Sequence, residues 1–519
     1  MFTSRLINLK SASSGISLAF ASCQFQRHIS VTLPLRKDYS RTPIKFQKPK
    51  KTLVTDHIDV EPLDDSEVKD EYIDMLLDRT LLRHDSGHQV FVIQPYIKWG
   101  PKKKRNTTPT LQLLESVTLI KTLRTWKVVG QTSVGLEKFT SKSFFGKGYI
   151  SMIKELVEKH KSISALFISV NTLSLLQQMT LQEIFGVPVF DRYTIIMHIF
   201  REHATSREAK LQIQLAELPY LWTVMKGMQL GIGEKFGGGA IQLGGFGPKF
   251  LDTRKEIFRM REAKLKRAIM DIREKREIFR QGRKKNEIPT IAVVGYTNAG
   301  KTSLVQALTE KDSLVPQDYL FATLDVTCHL GTLPSSMNVY YIDTLGFISD
   351  IPTYLIESFV YTLEDVTCAD LIVHVRDMSH PDTVAQNDNV IKTLNDLNLS
   401  EIKMKNIVTV GNKIDLVSSD KLQNLKTDDM IMVSCTKLTG IDILRQEIEQ
   451  RLLSLTNRIK MIMRVRNGGD EYDWLQQETV VTNELPDPKD NQFILLSVIT
   501  SSSTLEKFKH RFIKNYKER

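Results

Sequence analysis

The chain is 519 residues long, 41% hydrophobic and 25% charged, with a net charge of +11 and a pI near 9.2. That length exceeds one ordinary domain, and the balance predicts a soluble globular protein with polyanionic partners, nucleic acid before lipid. No stretch reaches the roughly 18 uninterrupted apolar residues of a membrane span, and Cys23, Cys328, Cys368 and Cys435 lack the spacing of a disulfide framework or a structural zinc site.

Asp38 is the first acidic residue; before it Arg5, Lys10, Arg27, Arg36 and Lys37 are spread among Ser, Leu, Ile and Phe. That composition predicts a mitochondrial transit peptide within residues 1–48, a processing region around Arg27-His28-Ile29-Ser30 and a matrix location. Residues 49–109 read as a polar extension ending near Lys102-Lys103-Lys104-Arg105, a solvated loop or an RNA contact. From 110 to 248, apolar runs such as Ala165-Leu166-Phe167-Ile168-Ser169-Val170 alternate with helical patterns such as residues 195–218. An α/β domain is predicted there, its last helix ended by Pro219 and the glycines that follow. Residues 249–287 form a predicted helical connector. Phe258, Leu265, Ile272 and Phe279 recur every seven residues, a seam for another helix. Fifteen basic residues face six acidic ones between Lys249 and Lys285, either a solvated face or a surface for RNA phosphates.

After Pro289 the apolar run Ile291-Ala292-Val293-Val294 leads into Gly295-Tyr296-Thr297-Asn298-Ala299-Gly300-Lys301-Thr302, and Ser303 continues into a helix. This is the strand–loop–helix setting of the phosphate-binding loop GxxxxGK[ST]. Its glycines let backbone N–H groups turn toward phosphate oxygens, and the following helix points its positive end at the same anion. Lys301 is expected at the β/γ-phosphates and the Thr302 hydroxyl on Mg²⁺. A second strand, Val339-Tyr340-Tyr341-Ile342, delivers the DxxG element Asp343-Thr344-Leu345-Gly346. Asp343 is expected to hold the metal and the Gly346 N–H to sense the γ-phosphate. A third strand, Leu371-Ile372-Val373-His374-Val375, makes His374 a core or strand-end residue. A fourth ends in Asn412-Lys413-Ile414-Asp415, the base-reading NKxD element, and Ser434-Cys435-Thr436 takes the place of the loop that steadies the base. A carboxylate at Asp415 accepts from both N1–H and the N2 amino group of guanine. Adenine offers no such pair, so a GTP/GDP-binding domain is predicted over residues 288–456.

The residue after Gly346 is Phe347, where a glutamine would orient the attacking water. Asn298 either helps hold a potassium ion that substitutes for an arginine finger or satisfies loop backbone groups; both readings stand. Residues 457–519 are predicted as a small α+β domain with strands near 462–465 and 493–499 and a helix over 504–516. Phe508, Phe512 and Tyr516 form its core stripe, flanked by Lys507, Arg511 and Lys514. The fold class is therefore α/β: a P-loop GTPase domain preceded by an α/β N-terminal domain with a helical connector, and followed by a small α+β domain.

The stretch Phe321-Ala322-Thr323-Leu324-Asp325 resembles switch I of the HflX family, and Asp343 to Ile348 resembles its DTxGFI. Asp191-Arg192-Tyr193-Thr194, running on to Gln212, and Phe145-Gly146-Lys147-Gly148 are similar to that family's N-terminal domain. The resemblance covers residues 110–515. It implies Thr323 as a switch I Mg²⁺ ligand. It also implies a ribosome-associated GTPase that binds the large subunit and drives subunit dissociation or a late assembly step. The alternative is a GTP-loaded placeholder on the large subunit with incidental hydrolysis. It favours Arg259, Arg261, Lys266, Arg267, Arg273 and Arg276 of the connector as RNA contacts. One departure is Gly237 to Gly245, glycine-rich like the family's loop but without its acidic pair. A tRNA-modification GTPase would carry a cysteine-bearing C-terminal helical domain, and a membrane-remodelling one an apolar anchor; neither pattern occurs. A monomer is expected.

Overall fold

The computed structural model describes residues 87–101, 103–141, 143–229, 248–285, 288–310, 319–321, 323, 326–349, 363–397, 399–425, 429–488, 490 and 492–514. The transit-peptide region, the glycine-rich loop at 231–247 and Tyr516 lie outside them. The chain forms two compact units, one within residues 43–457 and one from Arg458 onward. Among the described residues no helix is long and apolar enough to cross a membrane.

The first unit opens with a parallel sheet of order β2-β1-β3-β4, built from β1 (Gln89–Ile97), β2 (Lys127–Leu136), β3 (Ala165–Ile168) and β4 (Val189–Phe190). Its central strand corrects the predicted polar extension over 49–109. Val90, Phe91, Val92, Ile93 and Gln94 are buried, so the N-terminal domain begins some twenty residues before the expected boundary. A strand buried on both faces reads as a short unbroken apolar run, and the lysine-rich segment after it masks that run in any average over the region. Around the sheet pack α1 (Pro109–Thr122), α2 (Lys147–Lys159), α3 (Leu175–Phe185) and α4 (Arg192–His203).

Two helical expectations change. The pattern over 195–218 is broken at residues 204–206, where the Ser206 hydroxyl caps a new helix by accepting from Ala209 N at 3.1 Å. That helix, α5 (Arg207–Gln229), does not stop at Pro219 but carries it in its interior. An interior proline costs about 3 kcal/mol. Beyond it or beside it, Leu218, Leu221 and Met225 are buried, each contributing roughly 1.5–3 kcal/mol, so packing outweighs the proline. The surface they meet is α6 (Pro248–Lys285), a helix of 38 residues and about 57 Å. Phe258, Leu265 and Ile272 face that seam, joined by Ile269; the Phe279 side chain lies outside the described residues. Leu265 is fully buried, so Leu265→Ala should lower unfolding stability by about 2–5 kcal/mol. A urea midpoint unchanged from the parent would show that this seam is not packed in solution.

The inner side of α6 also corrects part of the RNA-contact set. Arg261 is buried. Arg273 makes a two-pronged pair with Glu364, at 2.7 and 3.0 Å. Arg276 pairs with Glu208 at 2.7 Å and Asp365 at 3.5 Å. A heptad helix must turn one face inward, and Arg261 and Arg276 stand on it or beside it, whereas Arg273 is ion-paired yet still exposed. Arg259, Lys266 and Arg267 remain exposed.

The nucleotide-binding part is a six-stranded sheet of order β10-β9-β8-β5-β7-β6. Its strands are β5 (Thr290–Gly295), β6 (Thr327–Thr332), β7 (Asn338–Asp343), β8 (Leu371–Asp377), β9 (Val408–Asn412) and β10 (Met430–Met432). All pairings are parallel except the edge pair β6–β7. Buried His374 sits in β8 with its imidazole pushed down to about 3 by burial, then by Arg376; it is a neutral core residue.

The second unit pairs β11 (Ile459–Arg466), β13 (Phe493–Thr500) and β12 (Val480–Pro486) antiparallel in that order. The described C-terminal helix is Ser502–Phe508, continuing as a wider π turn over Lys509–Lys514. Phe508 and Phe512 pack on Trp474 at ring distances of 5.6 and 6.0 Å, so Phe508 belongs to the core and Phe512 packs against it. Trp474 belongs to a helix at Asp470–Glu478 that, like β12, has too short and polar a pattern to read from sequence.

Candidate functional site

The phosphate loop leaves β5, whose Ile291 to Val294 are fully buried, and enters α7 (Lys301–Thr309) at Gly300. Gly300 has φ +89°, and a Cβ there would lie 2.3 Å from the Asn412 amide nitrogen. That amide donates to the Ala299 carbonyl at 3.0 Å. Lys301 is buried and donates to the Tyr296 carbonyl at 3.1 Å. Burial pulls its ammonium down to about 8, while Asp343 acts to raise it. Asp343 is itself raised by burial, against Lys301 and the hydroxyls of Thr302 and Thr323.

Thr302 Oγ1 lies 2.9 Å from Thr323 Oγ1 and 2.7 Å from Asp343 Oδ2, and Thr323 Oγ1 is 3.2 Å from the same carboxylate oxygen. Asp343 Oδ1 is buried with no protein partner. Three residues far apart in sequence thus bring hard oxygen donors to one point and leave one lone-pair set unused. That fits Mg²⁺, which binds through few protein oxygens plus phosphate and water. No group of three His, Cys, Asp or Glu among the described residues offers an alternative cage.

Gly346 packs against the loop: a Cβ there would stand 2.8 Å from Thr297 Cα and 3.0 Å from Lys301 Nζ. Phe347 is 2% exposed, its N–H donating to the Gly295 carbonyl at 3.1 Å and its own carbonyl accepting from Thr297 N–H at 2.7 Å. Its ring is a wedge in the core and has no means of orienting water.

At the base end, Lys413 (φ +63°) donates to the Asn298 carbonyl at 2.8 Å and pairs with Asp377 at 2.8 Å. The first two residues of the NKxD element therefore brace the phosphate loop and leave Asp415 as the reading group. Ser434 Oγ donates to Asp415 Oδ1 at 2.7 Å and Thr436 Oγ1 reaches Oδ2 at 3.4 Å. The Ser434 bond, above all, holds the Asp415 carboxyl below its ordinary range, so it is ionised at neutral pH. Cys435 donates its N–H to Asn412 Oδ1 at 3.4 Å, and burial pushes its thiol up to about 12, a neutral group with no nucleophilic role.

The residues placed together from sequence thus gather into one candidate site around the loop after β5, with Ser303 following on α7. Tyr296 is the exception: its phenol turns away from the phosphates to Ser349 and Glu115. Asp377, which orients Lys413, carries no motif and was missed.

The family signatures divide the chain along the same lines. A GTP-binding GTPase N-terminal region matches residues 111–201, a GTP-binding GTPase middle region 203–283 and a 50S ribosome-binding GTPase 290–413. GTP-binding protein 6 of Xenopus laevis is 39% identical over 438 residues, covering 84% of this chain and 82% of that protein. The human protein of that name is 37% identical, covering 86% and 87% respectively. GTPase HflX of Alkalihalophilus pseudofirmus is 34% identical, covering 75% of this chain and 90% of that one. The chain binds guanine nucleotide and is a GTPase; it belongs to the HflX family.

Proposed function

We propose that this GTPase acts in mitochondria, binds the large ribosomal subunit, and uses GTP binding and hydrolysis to promote subunit dissociation or large-subunit assembly. What carries the ribosomal reading is the match of residues 290–413 to a family described as 50S ribosome-binding. The basic surface left on α6 by Arg259, Lys266 and Arg267 supports it. The acid-free basic leader before Asp38 supports the location.

At the site, Lys301 and the loop N–H groups would neutralise the phosphates, while Thr302, Thr323 and Asp343 would hold Mg²⁺. When bound there, the ion would supply charge stabilisation to the transferring phosphoryl group. Thr323 would tie switch I, and Gly346 the DxxG segment, to the triphosphate, and loss of the γ-phosphate would release both. With Phe347 in place of a glutamine, orienting water calls for another device, such as a potassium ion near Asn298 or a group supplied by the ribosome.

The test is whether the protein with GTP separates purified mitochondrial monosomes in a sucrose gradient. Reversing Arg259, Lys266 and Arg267 should abolish co-sedimentation with large subunits at physiological salt. Each lost phosphate contact should flatten the log–log salt slope by about 0.7–0.9, with GTP affinity unchanged. Co-sedimentation retained by the triple reversal would place the RNA contacts elsewhere, and intact monosomes with GTP and protein would exclude a splitting role.

A further inference from the structure

Helix α4 touches the nucleotide machinery at both of its ends. At its start, the buried Arg192 guanidinium donates to the Ser349 carbonyl at 3.0 Å and pairs with Glu115 of α1. Ser349 follows Gly346 by three residues, at the exit of the DxxG segment. Its N–H donates to the Tyr296 phenol at 2.8 Å, and its hydroxyl lies 2.7 Å from the same oxygen. The phenol in turn donates to Glu115 at 3.0 Å. All three polar groups of Ser349 are therefore engaged: Tyr296 of the phosphate loop and Arg192 of the N-terminal domain, which meet at Glu115, hold its N–H and carbonyl, and its hydroxyl is shared by Tyr296 and by the Asn389 amide, which donates to it at 3.0 Å.

At the other end of α4, Phe200 packs edge-on to Phe321 at 4.9 Å, and His203 Nδ1 lies 3.2 Å from the Phe321 carbonyl. Phe321 is 2% exposed, has φ +56°, and stands two residues before Thr323. A helix of 12 residues spans about 18 Å. One rigid rod from the N-terminal domain thus sets the position of the segment after Gly346 and of the segment before Thr323. It does so in the arrangement in which Thr323 lies beside Thr302 and Asp343.

We propose that Arg192, Glu115 and Phe200 are positioning residues through which the N-terminal domain favours the triphosphate-bound arrangement of the site. The inference rests on Thr302, Thr323 and Asp343 being the metal ligands. Contacts that favour this arrangement of Thr323 favour the nucleotide that needs it. By linkage, the triphosphate must tighten the seating of α4 by the same factor. The isolated nucleotide-binding motifs contain no such device; it exists only because two domains share one buried polar cluster.

The test uses the full chain, titrated with fluorescent GDP and with a non-hydrolysable GTP analogue, in Mg²⁺ and in EDTA. In Arg192→Ala and Phe200→Ala the ratio of analogue to GDP affinity should fall about fivefold or more, with GDP affinity within about twofold of the parent. Arg192→Lys, which keeps one donor for the Ser349 carbonyl, should recover part of that ratio. Tyr296→Phe removes a single hydroxyl and so guards against a variant that merely misfolds. It should lower the ratio too, and its effect should be less than additive with Arg192→Ala. An unchanged ratio in Arg192→Ala, Phe200→Ala and Tyr296→Phe, or an equal loss of both nucleotides, would overturn the proposal. If the parent chain binds the analogue equally well in Mg²⁺ and EDTA, the metal-ligand assignment fails first and the proposal with it.

Discussion

Asp415→Asn is expected to cost the protein its preference for GTP and to move it toward xanthosine nucleotides. The carboxylate is ionised and aimed by the Ser434 hydroxyl at 2.7 Å, with Thr436 behind it. An amide in its place presents a donor where guanine N1–H and N2 also donate, leaving buried groups unpaired. A site built around such bonds discriminates by roughly 10⁴-fold, and a loss of about 10²-fold or more in GTP affinity is expected. Competition of GTP, XTP and ATP against labelled GDP checks it. A variant that still prefers GTP would show that the base is read by other groups. Equal ATP and GTP binding by the parent would remove the role of Asp415 altogether.

Gly346→Ala should lower single-turnover hydrolysis by about 10²-fold or more while leaving GDP affinity nearly unchanged. The added Cβ would stand 2.8 Å from Thr297 Cα, a backbone atom that cannot yield without moving the phosphate loop. Lys301 Nζ, 3.0 Å away, is held by the Tyr296 carbonyl. The segment carrying Gly346 must therefore back away, taking its N–H out of reach of the γ-phosphate, a group that GDP lacks. Hydrolysis within about threefold of the parent would mean that the segment slides freely and that its close approach has no catalytic consequence.

The nucleotide site was legible because its chemistry is local. Gly295 to Thr302 is one continuous loop, and a buried parallel strand before each of Gly295, Asp343 and Asn412 announces where a loop must emerge at the sheet edge. The heptad of Phe258, Leu265 and Ile272 was legible for a related reason: a helix that packs along its whole length repeats its apolar residues at a fixed period. Composition averages hid β1, whose buried run is only a few residues long beside a block of lysines. Local propensity misled at Pro219, because the burial that outweighs a proline comes from another helix.

What the sequence determined by itself was which groups make up the candidate guanine-nucleotide site. Those groups are specified by residue type and by short spacings along single strand–loop–helix units. The tertiary structure alone decided how arginines of one type divide between roles. Arg259 faces solvent, Arg273 and Arg276 lock α6 onto Glu364, Asp365 and Glu208, and Arg192 holds Ser349 beside the phosphate loop. It also decided that Tyr296 serves the domain contact and that Thr323 reaches Asp343. The physical reason is the same in each case. A guanidinium, a phenol or a hydroxyl takes its role from the partner it meets, and partners 20 to 181 residues apart become neighbours only when the sheets and the connecting helices have packed.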